Sequence, residues 1–328
     1  MELVEITDQA AWDAYVSESP WGHPLQLWGW GETKRENHWR PVRLAGVRNG
    51  QWQAVAQVLL WPIPRTQWLV AYVPRGPVAE PEAAVAQEFM ELVAAWAKEH
   101  RVIYVRIEPG WRLPALGWPR WRRAKHQIQM AQTYVLDLRK SEDELLQAID
   151  RKKRYLMRRA EKDGVSVRRL PLGELGDMMP IYRETAARAG FGLHSEHYYQ
   201  RLVRVMGEHS YLMAAEYEGK MVAFLWLLGG GAMAIELYAG ANEVGRNLNV
   251  NYLLKWQAIT LMKSAGYMAY DLNGRVSEGV SGFKAHFSPE AVDFVGAWDR
   301  PLAPALYAAW EGLWPLIKRA GRLVRGRK

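Results

Sequence analysis

The hydrophobic and polar positions of the first 140 residues alternate between the period of strands and that of helices. Two runs rich in Val, Leu and Trp, Arg40–Val47 and Gln51–Trp61, flank an Asn-Gly pair, which is a strong hairpin signal between apolar segments. Apolar residues then recur at helical spacing through Ala83–Lys98, and this periodicity predicts a helix packed on the preceding strands. The pattern therefore indicates a mixed α/β unit.

A second unit begins at Ser141, where the chain carries a helix-start signal. Ser141 and Glu144 have the spacing of a capping box, so one helix is expected from there to about Gly164. A strand, two helices, three strands, a helix and a strand are expected next: Val165–Leu170, Leu175–Arg188, Glu196–Met206, Tyr211–Glu218, Met221–Leu228, Ala232–Tyr238, Val250–Ser264 and Tyr267–Leu272. This order is typical of acyltransferases of the GNAT type.

The first 140 residues follow a degenerate version of the same plan. We therefore predict an α/β (α+β) fold made of two tandem GNAT-like acyltransferase domains. The first domain is expected to comprise residues 1–140 and 300–328, with Pro301–Val324 returning as a long helix, and the second domain residues 141–299. No low-complexity linker separates them, which predicts a substantial interface.

The composition excludes several kinds of site. The 328 residues include no Cys, which excludes disulfides, thiolate zinc sites and a cysteine nucleophile. His194 and His197 lack a third ligand, and no P-loop, dinucleotide fingerprint or nucleophile elbow is present, so neither a metal nor a bound cofactor is expected. The chain opens without a signal peptide, and its apolar run Val222–Ile235 is shorter than the roughly 20 residues of a membrane span. A cytoplasmic protein is expected.

The formal net charge of +8 is concentrated in two segments. Seven basic residues and one acid lie between Arg151 and Lys162, a pattern that suits the phosphates of tRNA. Six basic residues and no acid lie from Lys318 to Lys328, after an apolar helical stretch, which suits peripheral contact with the anionic inner leaflet of a membrane. A solvated helix face and a core-packed helix with a basic tail are the respective alternatives.

Three cations stand in patterns that suggest chemistry. Lys34 ends a predicted helix beside aromatic residues, and Arg75 is presented by the proline-rich strand end Tyr72–Pro77. Lys284 is enclosed in sequence by Phe residues, so it is expected to be partly desolvated, where its charge acts more strongly on an oxyanion or phosphate. The alternative for each is a surface cation or a plain turn.

Motifs in order along nearly the whole chain carry a family resemblance: Gln26, Trp30, Lys34, Tyr72–Pro77, Asp150–Arg154, Tyr238–Gly240, Tyr270–Gly274, Gly282–Lys284 and Phe287. In these motifs the chain resembles the Fem-type (FemABX) peptidyltransferases, which use aminoacyl-tRNA to add amino acids to peptidoglycan precursors. That family folds as two tandem GNAT-like domains with a terminal helix returning to the first. No heptad-bearing insert is present, so the chain resembles the compact members without a helical arm.

The resemblance implies a substrate-binding group. Lys34 matches the family lysine that contacts substrate phosphate, and Tyr198 matches a substrate-contacting tyrosine. Arg75 and Tyr238 lie in two of the matching motifs and are assigned to the same group. His194 stands four residues before Tyr198, where the family often has arginine. A histidine is a weaker, pH-dependent cation, which favours a lipid-linked or otherwise different precursor over a nucleotide-linked one.

The resemblance also implies catalytic and tRNA-binding residues. Phe283 and Lys284 match the pair beside the reacting ester, and Glu108 falls near an acidic residue that assists proton removal. The residues expected to bind tRNA are Arg151, Lys152, Lys153, Arg154 and Arg158. The expected reaction is direct aminolysis of aminoacyl-tRNA by an amine of the stem peptide, with lipid-linked and UDP-linked precursors both left open. Fixed charge and orientation supply most of such a rate enhancement.

Two other functions compete with this one. A GNAT-type N-acyltransferase would use acyl-CoA on a small-molecule or peptide amine. It needs a glycine-rich loop opening the helix at Val250, whereas the segment Gly240–Asn249 has Leu248 where a small residue is wanted. A catalytically inactive binder of tRNA or of the precursor is the third possibility, and the presence of Phe283 and Lys284 argues against it.

Overall fold

The computed structural model describes residues 1–81, 84–112, 115–274, 278–287 and 291–312. Up to residue 140 the elements are, in chain order, β1 (Glu2–Glu5), α1 (Gln9–Glu18), α2 (Trp28–Lys34), β2 (Arg40–Arg48), β3 (Gln51–Pro62), β4 (Leu69–Arg75), α3 (Ala84–Glu99), β5 (Val102–Pro109), β6 (Arg122–Arg123) and β7 (Gln132–Asp137). A 3-10 turn at Pro24–Gln26 precedes α2.

The rest of the described chain contributes fifteen further elements. They are α4 (Glu142–Ala148), α5 (Arg151–Lys162), β8 (Ser166–Arg169), α6 (Leu175–Ala189), α7 (Glu196–Met206), β9 (Ser210–Tyr217), β10 (Lys220–Gly230), β11 (Met233–Ala241), α8 (Glu243–Asn247), α9 (Val250–Ser264), β12 (Ala269–Asp271), α10 (Glu278–Ala285), β13 (Ala291–Asp293), β14 (Trp298–Pro301) and α11 (304–312).

The described strands form two seven-stranded mixed sheets. The first has the order β1-β2-β3-β4-β5-β14-β6 and the second the order β13-β7-β12-β11-β10-β9-β8. In the first sheet β4 and β5 run parallel and are joined through α3. In the second sheet β11 and β12 run parallel and are joined through α8 and α9. The same plan therefore occurs twice, as the predicted α/β fold requires.

The helix predicted from Ser141 to Gly164 is two helices. The capping box is present, because the Ser141 hydroxyl and the Glu144 carboxylate each accept from the other residue's backbone N–H. However, α4 stops at Ala148, and the Asp150 carboxylate accepts the N–H groups of Lys152 and Lys153 to begin α5. An aspartate that caps in this way competes with helix continuation, so the prediction of one helix was wrong.

The segment Ala291–Trp298 contributes to both sheets. Its beginning is β13, paired with β7 in the second sheet, and its end starts β14, paired with β5 in the first. Gly296, at φ 80°, lies between them in a conformation that glycine adopts at little cost. Strand β7 itself belongs to the second sheet, although it precedes residue 140. The domain limits at 140 and 300 stay a prediction.

One apolar cluster joins the two halves of the chain. It contains Trp12 and Trp30 from the first half together with Tyr198 and Trp226 from the second, all buried. The two fully buried tryptophans in this set also bond their indole N–H groups: Trp12 donates to the Gln26 carbonyl at 2.8 Å and Trp226 to a serine hydroxyl. Burial of aromatic side chains on this scale is a main source of stability, so the halves share a core as expected.

Helix α11 packs against the first sheet. Tyr307 and Trp310 are buried against Tyr104 and neighbouring strand residues. Beneath them the Arg106 guanidinium donates two hydrogen bonds of 2.7 Å to Asp299 on β14. The remainder of the predicted helix, including the basic stretch from Lys318, lies outside the described residues.

Candidate active site

A cavity of about 160 Å³ lies where α2 and the end of β4 meet β11 and the segment after β12. We call it the cationic chamber, and its polar lining consists of His23, Lys34, Arg75, Gln129, Asp271 and Asn273. Trp30 also lines it. The buried indole Nε1 of Trp30 has no hydrogen-bond partner among the described residues. A buried donor without a partner is uncommon in folded proteins.

Lys34 reaches the chamber because α2 packs directly on α7. A Cβ on Gly29 would lie 2.2 Å from the Val205 carbonyl oxygen, so only glycine permits this approach. The Lys34 amine donates a 2.8 Å hydrogen bond to the Tyr198 hydroxyl and lies 3.8 Å from the centre of the Trp30 ring. Burial lowers the pKa of Lys34 to about 7, because a desolvated ammonium is disfavoured.

The other residues predicted to bind substrate assemble around Tyr198. The His194 ring stacks on the Tyr198 ring with their centres 4.0 Å apart, and Tyr238 on β11 is hydrogen-bonded to Tyr198. Burial raises the pKa of Tyr198 to about 12, so its hydroxyl stays neutral and can accept from Lys34. The structure thus places Lys34, His194, Tyr198 and Tyr238 in one group.

Arg75 enters the same chamber from the first sheet. Its backbone has φ 53°, it is buried, and its guanidinium donates to the Met130 carbonyl at 2.9 Å and stacks on Phe294 at 4.3 Å. Across the chamber the buried Asp271 carboxylate accepts from the Thr133 hydroxyl and, at 2.7 Å, from a backbone N–H. Burial raises the pKa of Asp271, and the positive charge of Arg75 opposes that rise. Lys34 and Arg75 therefore form a pair of cations facing one carboxylate.

Glu108 holds the chamber wall instead of lining a described cavity. Its carboxylate accepts from the backbone N–H groups of Ile128 and Gln129, at 2.5 and 2.7 Å, and from the Tyr72 hydroxyl at 2.7 Å. Burial raises the pKa of Glu108, and these donors act in the opposite direction. Since Gln129 lines the chamber, Glu108 affects the site indirectly, by fixing the position of the segment that contains Gln129.

Lys284, like Glu108, supports a wall of the cationic chamber without lining the chamber itself. Its buried amine donates to the carbonyls of Asn273 and Gly274 at 2.8 and 2.9 Å. Burial lowers the pKa of Lys284, in agreement with the desolvation that the flanking Phe residues predicted. Asn273 lines the cationic chamber, so Lys284 fixes the segment that forms one of its walls.

Phe283 lines a second cavity of about 190 Å³, which we call the β11 pocket. Its lining includes Thr185, Arg188, Gly240, Arg246, Lys255 and Phe283. The Lys255 amine is paired with the Glu236 carboxylate, which also accepts from the Tyr270 hydroxyl at 2.9 Å. The sequence reasoning missed Lys255 and Glu236. The available signal was the position of each charge: Lys255 lies in the middle of the apolar helix α9, and Glu236 in the apolar strand β11. A charge that is buried in this way is kept only when it is paired.

The predicted tRNA-binding residues lie along α5, and Arg151, Arg154 and Arg158 line a cavity separate from the β11 pocket. Arg151, Lys152 and Arg158 are exposed, and the other two, Lys153 and Arg154, are half-buried. The Lys153 amine lies 5.0 Å from the centre of the Tyr252 ring, which is 4.9 Å from the Phe283 ring. Lys153 therefore lies one aromatic ring away from Phe283, which lines the β11 pocket.

The segment that would bind CoA in a GNAT enzyme folds differently here. Between β11 and α9 it forms the five-residue helix α8, capped by the Asn242 side chain on the Gly245 N–H at 2.9 Å. A Cβ on Gly245 would lie 2.4 Å from the Val222 carbonyl oxygen, so this glycine serves packing on β10. Within the described ranges no group of three or more His, Asp or Glu side chains could hold a metal, and no helix is long and apolar enough to cross a bilayer.

Comparison with known proteins identifies relatives. The model of the FemAB family matches residues 7–116, 120–222 and 220–313. A lipid II:glycine glycyltransferase of Staphylococcus aureus (strain MRSA252) is 29% identical over 223 residues, 63% of this chain and 53% of that protein, so the chain spans about half the length of this relative. These matches confirm the family resemblance that the sequence motifs indicated.

Two solved structures share the fold. The crystal structure of FemX superposes with a TM-score of 0.85 at 21% identity, over 95% of this chain and all of that one. A tandem GNAT protein from the clavulanic acid biosynthesis pathway has a TM-score of 0.52 at 12% identity, over 92% of this chain and 98% of that one. The predicted α/β fold of two tandem GNAT-like domains is confirmed.

Proposed function

Because the chain belongs to the FemAB family, we propose that it transfers an amino acid from aminoacyl-tRNA to the stem peptide of a peptidoglycan precursor. The observation that carries this proposal is the cationic chamber, where Lys34 bonds to Tyr198 across the two halves at 2.8 Å. The chamber offers the two cationic side chains of Lys34 and Arg75. That set of donors suits a diphosphate of the acceptor.

The donor would approach along α5. Exposed basic residues of α5 are placed to contact tRNA phosphates, a sequence-independent and salt-sensitive interaction. The ester-linked end of the tRNA would then enter the β11 pocket beside Phe283. Thr185 lines this pocket, and its buried hydroxyl has no hydrogen-bond partner within the described residues.

The reaction is a direct aminolysis and needs no cofactor beyond the co-substrate. The acceptor amine attacks the ester carbonyl, a C–N bond forms, and the C–O bond to the tRNA ribose breaks. The amine loses a proton, and the leaving ribose oxygen gains one to become a hydroxyl. Lys284 contributes its positive charge to the oxyanion while holding the chamber wall, an electrostatic role of the kind that supplies large rate effects. Glu108 assists proton removal by taking a proton from the Tyr72 hydroxyl, which donates to it at 2.7 Å and takes up the proton of the amine in turn.

The location of the transfer reaction in the cell depends on which precursor is the acceptor. A lipid-linked precursor would be met at the inner face of the membrane, which a cytoplasmic protein can approach peripherally. The charge of the chain, +8 in total, favours contact with an anionic leaflet. Binding of the full chain to anionic but not to neutral liposomes tests this, and equal binding to both would reject it.

The proposal is tested by incubating the purified protein with charged tRNA and either a lipid-linked or a UDP-linked precursor, and weighing the products. A mass increase of one amino acid residue on the stem peptide is expected, and Lys34→Ala should abolish most of it. Lys98→Ala, an exposed lysine of α3, is the matched control. Product formed from acyl-CoA instead of charged tRNA would replace this function by the acyl-CoA alternative, and binding without any product would indicate an inactive binder.

A further inference from the structure

A cavity of about 480 Å³ lies between α5 and α9, apart from the cationic chamber and the β11 pocket. We call it the arginine cavity, because Arg151, Arg154 and Arg158 line it. Glu161 is the one acid among the described residues of its lining, so the cavity has a net positive charge. The rest of the lining is apolar and consists of Leu146, Met157, Leu253 and Trp256.

The three arginines place like charges on one face of α5. Arg154 follows Arg151 by three residues and precedes Arg158 by four, and like charges at such spacings destabilise a helix. Among the described residues, the ion pair of α5 joins two other side chains, Arg159 and Asp163, at 3.4 Å. Arg154 is also half-buried, where a charge without a counter-charge is costly. The arginine cavity is therefore complementary to an anion.

Trp256 gives the arginine cavity an aromatic wall. This half-buried residue also lines a neighbouring cavity, together with Arg169. On α5 the Tyr155 side chain is 56% exposed, four residues after Arg151 and so next to it on the helix surface. Every nucleobase has a flat face that stacks on an aromatic ring, and arginine adds to such stacks. An aromatic wall beside arginines thus favours a nucleotide over a simple phosphate.

Helix α9 places the arginine cavity close to the β11 pocket. Lys255 lines the β11 pocket and the next residue, Trp256, lines the arginine cavity, so the two cavities lie on different sides of one helix of about 10 Å diameter. Tyr252 lies one turn before Trp256, and the centre of its ring is 4.9 Å from that of Phe283 and 5.0 Å from the Lys153 amine. A strand whose end occupies the β11 pocket therefore has its neighbouring nucleotides within reach of the arginine cavity.

We propose that the arginine cavity binds an unpaired nucleotide next to the ester-linked end of the RNA donor, with the base on the Trp256 ring and the phosphate at Arg154. The inference rests on the proposed function and deepens it, because it requires the donor to be single-stranded where it passes α9. The planar guanidinium of Arg154 can donate two hydrogen bonds to a phosphate. Glu161 matches the exocyclic amine of cytosine, which carboxylates accept from when they bind bases.

The first experiment compares two short RNA strands by calorimetry with the full chain. One strand has the sequence of a tRNA 3′ end, and the other has the same length and the same phosphates but no bases. Stacking of one base on an aromatic ring should make the first strand bind at least about tenfold more tightly. Equal affinities would show that the protein contacts only phosphates, and would overturn the proposal.

The second experiment uses variants of the aromatic wall. Trp256→Leu keeps an apolar side chain and removes the ring, so the base-bearing strand should lose most of its advantage while the abasic strand binds as before. Trp256→Phe restores a ring and should regain most of the advantage. Trp96→Leu, at a half-buried tryptophan of α3 outside these cavities, is the control and should change neither affinity. Equal losses for both strands, or no recovery in Trp256→Phe, would contradict the assignment.

The third experiment examines the phosphate contact. Arg154→Gln should weaken both strands alike and make the slope of log affinity against log salt concentration less steep by about 0.7, whereas Trp256→Leu should leave the slope unchanged. Arg183→Gln, at an exposed arginine of α6 outside the cavity, is the control. An unchanged slope in Arg154→Gln would overturn the phosphate assignment. A Trp256→Leu variant that binds anionic liposomes less tightly and RNA as before would assign the cavity to a lipid surface instead.

The last experiment separates this inference from the proposed function. With charged tRNA and a saturating precursor, Trp256→Leu should raise the KM for charged tRNA about tenfold and leave the KM for the precursor unchanged. Transfer with an unaltered KM for charged tRNA in this variant would overturn the inference and leave aminoacyl transfer intact. No transfer by the wild type would overturn the proposed function, and the comparison of the two strands would still decide whether the cavity binds a nucleotide.

Discussion

Lys34 and Tyr198 are 164 positions apart in the chain, yet the amine of one donates a 2.8 Å hydrogen bond to the hydroxyl of the other. The contact depends on the close packing of α2 on α7, which Gly29 allows. Because each residue belongs to a different half of the chain, the cationic chamber exists only when the halves are docked. Their shared apolar core is therefore a requirement for binding as well as for stability.

Tyr198→Phe tests the value of this contact. The variant keeps the ring that stacks on His194 and removes the oxygen that accepts from Lys34. The ammonium form of Lys34 then loses a partner, and hydrogen bonds to charged groups contribute about 1.5–3 kcal/mol. We expect the affinity for pyrophosphate at pH 7 to fall about tenfold by calorimetry. Tyr155→Phe, on the exposed face of α5, is the control, and unchanged affinity in Tyr198→Phe would refute the role.

The pKa of Lys34, about 7, makes binding pH-dependent. Lys34 is mainly charged below pH 7 and mainly neutral above it, so the affinity for pyrophosphate should decline as pH rises from 6 to 9. Pyrophosphate itself titrates in this range, and Lys34→Arg supplies the reference, because arginine stays charged throughout. The ratio of the wild-type to the Lys34→Arg affinity should fall with pH. A constant ratio would show that Lys34 does not titrate near neutrality.

The same shift affects stability in the opposite sense. The folded-state pKa of Lys34 lies below the value of about 10.4 for an unfolded chain. Between these values the unfolded chain binds more protons, so the contribution of Lys34 to stability increases with pH across that interval. Anion binding and folding thus have opposed pH dependences at this one residue, which is typical of sites where function requires a buried charge.

The sequence predicts the members of the substrate group better than the roles of the catalytic candidates. Lys34, Tyr198 and Tyr238 could be identified because each lies in a recognisable motif, and the structure brings them together. Lys284 was expected to be desolvated, which is correct. Its carbonyl partners could not be foreseen, because they come from a segment ten residues earlier that reaches the lysine only through the folding of the chain after β12.

The break in the basic helix illustrates the limit for local structure. Residues Glu142 to Lys162 have helical propensity throughout, and nothing in the periodicity separates Ala148 from Arg151. The break between α4 and α5 is caused by two residues. Asp150 caps α5 with its carboxylate, and Ile149 is buried in an extended conformation. Tertiary burial of one apolar residue therefore overrides propensity, and this burial is absent from the sequence pattern.

Lys284→Ala should lower turnover at least about tenfold, on the scale of a lost electrostatic donor. It also leaves the carbonyls of Asn273 and Gly274 without their donor, so a moderate loss of thermal stability is expected. Lys263→Ala is the matched control, since Lys263 likewise donates to a backbone carbonyl, at 2.8 Å, away from both cavities. It should lose stability without losing turnover. Wild-type turnover in Lys284→Ala would exclude Lys284 from the reaction.

Neutralising α5 should weaken tRNA binding through its salt dependence. In a variant carrying both Arg151→Gln and Arg158→Gln, two exposed positive charges are removed. The slope of log affinity against log salt concentration should become less steep by about one for each tRNA phosphate that the variant no longer neutralises. Arg120→Gln with Arg139→Gln, two exposed arginines outside α5, should leave the slope unchanged. The same slope in both double variants would remove α5 from the tRNA-binding surface.

The buried pair of Lys255 and Glu236 is best tested by a double-mutant cycle. Lys255→Met leaves a buried carboxylate with only the Tyr270 hydroxyl as donor, and breaking a buried pair in this way costs about 3–5 kcal/mol. Glu236→Gln should cost a similar amount. The double variant should lose much less than the sum, because it leaves no buried charge behind. Urea unfolding measures each free energy.

The exposed pair of Arg159 and Asp163, at 3.4 Å on α5, provides the reference cycle, and its coupling should stay below about 1 kcal/mol. Activity adds a second readout. If Lys255 acts on the ester end of the tRNA in the β11 pocket, the double variant should remain folded while its transfer rate falls at least about tenfold. A double variant with full stability and full activity would show that the pair serves neither packing nor transfer, and that the β11 pocket works without a positive charge at Lys255.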